Sequence, residues 1–123
     1  MTILKLDAGL RVKGHSGQLY YFEEHFYHPK QPLALEEKAA VYLFLRKKND
    51  GKYYPVFCGQ TPNLADIHLC QASRELIRQR KPNRLCVLYQ ENEAERKNTW
   101  RDLLANANYQ FVAHPFLAPE EVV

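Results

Sequence analysis

The chain contains no run of about 18 apolar residues, the length a helix needs to span a bilayer, so no transmembrane helix is expected. Its first residues, Met1-Thr2-Ile3-Leu4-Lys5-Leu6-Asp7, lack the long apolar core and cleavage site of a secretory signal, and the expected location is the cytoplasm. Cysteine is scarce: Cys58, Cys70 and Cys86 lie 12 and 16 residues apart, match no common zinc spacing and, being odd in number, cannot form a complete internal disulfide set. All three are expected to be buried thiols, with Cys58, beside Gly59 at a strand end, the one most open to exception. The five histidines His15, His25, His28, His68 and His114 are scattered, and neither a metal site nor a cofactor is expected. Strong charge is missing too, since a net charge of +3 and a pI near 8.8 permit contact with a polyanion without requiring it. There is no internal repeat and no low-complexity tract.

What remains is an average globular composition with generous aromatics, 8 Tyr and 6 Phe. At 123 residues the chain fits one domain. It reads as an N-terminal β extension and connector over 1–38, a core over 39–108 and a tail over 109–123.

The clearest local signal is a hairpin from Ala40 to Gly59. The apolar run Ala40-Val41-Tyr42-Leu43-Phe44-Leu45 is followed by the turn Lys47-Lys48-Asn49-Asp50-Gly51 and the return run Tyr53 to Gly59. Thr61 as N-cap and Pro62 at the first helical position predict a helix over Thr61 to Arg80, stopped by Pro82. Gly59 is read as the residue that lets the strand turn into this helix. Arg84 to Tyr89 reads as a strand inside the sheet, and Asn92-Glu93-Ala94-Glu95 as a capping box opening a helix to about Asn106. Thr2 to Leu6 and Gln18 to His28 read as strands, with Gly14-His15-Ser16-Gly17 as a turn. Pro29 and Pro32 mark a connector, Leu33 to Lys38 a single helical turn, and Tyr109 to Ala113 an edge strand. The fold class is therefore α+β, a small central antiparallel or mixed sheet flanked by two main helices.

Strands Val41-Tyr42 and Phe57-Cys58-Gly59, the helix start Gln60-Thr61-Pro62-Asn63-Leu64, the next strand and the Asn92 helix together resemble the GIY-YIG nuclease superfamily, over residues 40–108. The resemblance implies a GIY-YIG-like fold, and in that family one metal ion assists phosphodiester cleavage. Its site residues would fall on Tyr42, Phe57, Ile67 and Trp100, where the family carries two tyrosines, an arginine and a metal-binding glutamate. Only Tyr42 keeps its type. Phe57 has no hydroxyl to orient water, Ile67 cannot offset developing charge, and Trp100 has no oxygen for a hard cation. A one-residue shift substitutes Thr99 or Arg101 and repairs nothing.

The resemblance thus implies a scaffold without its chemistry: not an enzyme, but a non-catalytic binding module acting through a protein partner or self-association. A nucleic-acid-binding module is the first alternative, and a nuclease with a relocated site the second. Candidate phosphate contacts are Arg46, Lys47 and Lys48 at the hairpin tip and Arg74, Arg78, Arg80, Lys81 and Arg84 around the end of the first helix. The competing explanation for the second group is a solvated surface complementing a helix C-terminus. Candidate partner-interface residues are Tyr20, Tyr21, Phe22, Phe26 and Tyr27, with core packing the other reading of the same strand.

Overall fold

The computed structural model describes residues 9–28, 30, 35–67, 71–109 and 111–113 of the chain. Strand β3 (Ala40–Lys47) sets the architecture, because its alternating side chains are apolar on both sides. Ala40, Tyr42 and Phe44 enter one hydrophobic cluster, and Val41, Leu43 and Leu45 enter another on the opposite side. A strand buried on both faces must lie centrally, and β3 does so, antiparallel to β4 (Tyr53–Thr61) and to β5 (Arg84–Tyr89). With β1 (Leu10–Lys13), β2 (Leu19–Phe26) and the short β6 (Val112–Ala113), the sheet order is β1-β2-β5-β3-β4-β6. The first five strands pair antiparallel, and β6 runs parallel to β4.

Each face carries one helix. Helix α1 (Gln71–Arg80) sends Ile77 into the cluster of Tyr42, Phe44 and Phe57, whereas α2 (Glu93–Ala105) sends Trp100 and Leu103 into the cluster of Val41, Leu43 and Cys58. The expected α+β class, a sheet with a helix on each side, is what the structure shows.

A bulge shapes β4. Phe44 faces Phe57 while Leu45 faces Pro55, so Val56 is the extra residue, and Val56 and Phe57 both fill the α1-side cluster. Gly59 lies within β4 opposite Tyr42 and makes no turn. A β-carbon there would stand 2.7 Å from Tyr42 Cε2 and closer still to Cζ and the hydroxyl oxygen, so glycine is needed to admit the buried Tyr42 ring.

The predicted helix over Thr61 to Arg80 is corrected at its start. Thr61 ends β4, and its hydroxyl accepts from the Asn63 N–H at 3.2 Å. Asn63 caps a 3-10 turn at Leu64–Asp66, its Oδ1 accepting from the Ala65 N–H at 3.1 Å. Short polar side chains here give the backbone local alternatives to an α-helix. At the other end, Lys81 adopts φ 50° and donates its N–H to Ile77 O at 2.8 Å, stopping α1 just before Pro82 as expected. The α2 start also follows the sequence reading, with Asn92 Oδ1 accepting from the Glu95 N–H at 2.9 Å.

Strand β1 was not foreseen, because only Leu10 and Val12 mark its four residues. The Gly14 to Gly17 turn joins it to β2. The expected strand Thr2 to Leu6 lies outside the described residues, as do His68, Cys70 and His114. Residues 35–38 form no helical turn.

Candidate functional site

The positions matching the nuclease motif do not assemble into a site. Tyr42 is fully buried against Gly59, and burial, reinforced by Cys58, pushes its hydroxyl far above the ordinary tyrosine pKa. Phe57 meets Phe44 edge to face, with ring centroids 5.8 Å apart, and Ile67 packs half-buried at the rim of the same cluster. Trp100 lies on the other side of the sheet, its indole N–H donating to Cys58 O at 2.9 Å. Among the described residues, no three His, Cys, Asp or Glu side chains converge as metal ligands would. Cys58 and Cys86 are both fully buried, and burial raises both thiols well above their ordinary pKa.

The basic residues, in contrast, are sorted by the fold. Arg46, at the end of β3, reaches α1 and donates Nη1–H to Lys81 O at 3.0 Å. Lys48 stacks its ammonium 4.3 Å from the centroid of the Tyr54 ring. Together with Arg80 and Lys81, these side chains line an open groove of about 480 Å³, floored by Tyr54, Pro55, Val56 and Gln79. Two clusters more than 30 residues apart in sequence thus share one surface. Among the described residues, none of the four cations has a carboxylate within ion-pair distance. Asp50 borders them, accepting from the Tyr54 hydroxyl at 3.4 Å.

The other four candidates point elsewhere. Lys47 lies over Tyr53, at 5.3 Å, and Arg84 Nε donates to buried Glu24 at 3.1 Å while its guanidinium covers Phe26 at 4.5 Å. Tyr53 also donates to Glu24, at 2.8 Å. Burial, helped by that carboxylate, pushes the Tyr53 hydroxyl up to about 12. Arg78 pairs with Glu75 on the helix surface, and Arg74 is exposed on α1.

Of the interface candidates, Phe22 and Tyr27 belong to the core, and Tyr20 is half-buried. Tyr21 and Phe26 stay exposed, at 64% and 45%. Tyr20 is held by Asp102, which accepts its hydroxyl at 2.7 Å together with the Ser16 N–H and hydroxyl at 2.8 and 2.7 Å. This clamp of the β1–β2 turn onto α2 escaped sequence reading, since its partners stand more than 80 residues apart. The buried Arg96, which donates Nε–H to Gln60 Oε1 at 2.9 Å and Nη1–H to the carbonyls of Gln90 and Glu91, also escaped, because its side-chain partner Gln60 comes from β4, 36 residues away.

Compared with known proteins, the chain matches no family model, no curated protein and no solved structure. Among the described residues no helix is long and apolar enough to cross a membrane.

Proposed function

We propose that this chain is a non-catalytic binding module whose groove between the β3–β4 hairpin tip and the end of α1 takes the phosphate backbone of a nucleic acid. One observation carries the reading: Arg46, Lys48, Arg80 and Lys81 converge on one open groove without carboxylate partners among the described residues. The carbonyl end of α1 opposes anion binding through its partial negative charge, of about half an elementary charge. Four cations outweigh it, and Arg46 binds the Lys81 carbonyl just beyond the helix end. Nucleic acid moves ahead of a protein partner because the cations gather while most of the aromatic candidates turn inward.

The scaffold reading is of the GIY-YIG type. Its support is the order hairpin, helix, strand, helix in β3, β4, α1, β5 and α2, with β3 between β4 and β5. Replacement of the matching site positions by a buried apolar cluster on one face and an indole on the other supports binding without cleavage.

Each phosphate neutralised adds roughly −0.7 to −0.9 to the slope of log affinity against log salt, so four contacts give a slope of about −3. Fluorescence anisotropy with labelled oligonucleotides should show affinity falling about 60-fold between roughly 50 and 200 mM salt. Salt-independent or absent binding refutes the groove reading. Magnesium- or manganese-dependent cleavage lost in Tyr42→Phe refutes the non-catalytic one.

A further inference from the structure

The outer face of the β1–β2 hairpin carries a second surface with a chemistry of its own. Its inner face is used up: Val12, Tyr20 and Phe22 pack toward α2. On the outer face, cross-strand register sets Arg11 opposite Tyr21 and Lys13 opposite Leu19. All four are exposed, Tyr21 at 64% and Leu19 at 43%, and neither cation has a carboxylate within ion-pair distance among the described residues. On β5, strand alternation from the Glu23–Val87 pair puts Tyr89 on the same side of the sheet as Tyr21. Tyr89 is half-buried, and the Lys38 ammonium lies 5.2 Å from its ring centroid. This face therefore presents the exposed Tyr21 ring beside Arg11, with Lys13 two residues along β1. Two carboxylates oppose them, Glu36 held by Lys38 at 2.9 Å and Glu23 beside His25 at 3.5 Å.

An exposed aromatic ring beside Arg11 and Lys13, which have no carboxylate partner among the described residues, suits unpaired bases. Every base has a π face to stack, each stacked base is worth about 1–3 kcal/mol, and the cations meet the intervening phosphates. A duplex hides its base faces and gains nothing from a tyrosine platform. We infer that the nucleic acid is single-stranded, with at least one base stacked on Tyr21 and its phosphates on Arg11 and Lys13. The inference rests on the nucleic-acid reading of the groove, which lies on the same side of the sheet, and adds the substrate class.

The test is anisotropy with a labelled oligothymidylate of about 12 nucleotides and a duplex of equal length, using wild type, Tyr21→Ala, Tyr21→Phe and the groove variant Arg80→Gln/Lys81→Gly. Tyr21→Ala should weaken oligothymidylate binding about 5- to 100-fold, leave the duplex within about twofold and be rescued by Tyr21→Phe, which keeps the ring. The groove variant should weaken both ligands. If it does so while Tyr21→Ala changes neither, the single-strand inference falls and the groove reading stands. If wild type binds neither ligand, both fall. Tyr21-dependent capture of a protein by a chain without oligonucleotide affinity also overturns the inference.

Discussion

Replacing Gly59 by alanine separates two explanations of this glycine by the sign of the effect. In a strand interior that merely tolerates glycine, alanine is stabilising by roughly 0.5–1 kcal/mol, because it narrows the unfolded ensemble. Here the added carbon lands on the Tyr42 ring, which is fully buried and enclosed by Phe44, 6.1 Å away between centroids, and other residues of the α1-side cluster. The ring cannot swing aside without disturbing those neighbours. Overpacking a close-packed core costs about 1–3 kcal/mol, and a contact this deep belongs at about 3. At roughly 4 °C per kcal/mol for a chain of this size, the melting temperature should fall by roughly 12 °C. Urea denaturation of wild type, Gly59→Ala, Tyr42→Leu and the double variant closes the cycle. The double variant should be more stable than the sum of the singles implies, by about 1–2 kcal/mol, because leucine leaves room for the new carbon. A stabilising Gly59→Ala, or strict additivity, refutes the packing account.

Two other variants test separate parts of the structure. Lys81→Gly relieves a left-handed residue, worth about 1–2 kcal/mol, against about 0.5–1 kcal/mol of added unfolded-state freedom. Stability should therefore rise by about 0.5–1 kcal/mol, while the salt slope for oligonucleotide binding loses about 1; thermal melts and salt titrations read the two effects independently. For Asp102, burial pushes the pKa up, but hydrogen bonds from Ser16 and Tyr20 and the attraction of His15 outweigh it and hold the carboxyl below the ordinary aspartate value. A depressed folded pKa contributes stability above the unfolded pKa of about 3.9 and loses it as pH falls through the folded one. Asp102→Asn should thus be less stable than wild type at neutral pH, with the gap closing in acid. A gap that stays constant in denaturation midpoints down to about pH 2.5 would refute that account.

Local patterns were legible, and long-range partnerships were not. The doubly apolar run from Ala40 to Leu45 has one placement that covers both faces, so β3 could be read as central. Asn92 caps its helix within three residues, which makes that start a local property. The expected helix start at Thr61 fails because β4 pairs Thr61 with Ala40 and Asn63 then caps a 3-10 turn, a competition between strand and helix that local sequence does not decide. Gly59 was misassigned because its reason, the Tyr42 ring, arrives from a neighbouring strand. The two basic clusters were visible as separate stretches, but a helix length and a hairpin length together determine that Arg46 reaches Lys81 O. Arg84 resembles its neighbours in sequence and is nonetheless withdrawn by Glu24, to which only the β2–β5 register leads.

The bulge in β4 bears on how copies of this chain can meet. Within the described residues, β6 covers the outer side of β4 only at Phe57 and Cys58. The stretch before it would be open to strand addition by another molecule. That stretch holds Pro55, which has no N–H to give, and the extra residue Val56, which breaks the even spacing an incoming strand needs. Lys48 and Lys52 near the hairpin tip add like charge that would face itself in a symmetric pair. Among the described residues, the outer side of β4 is therefore guarded against edge-to-edge growth.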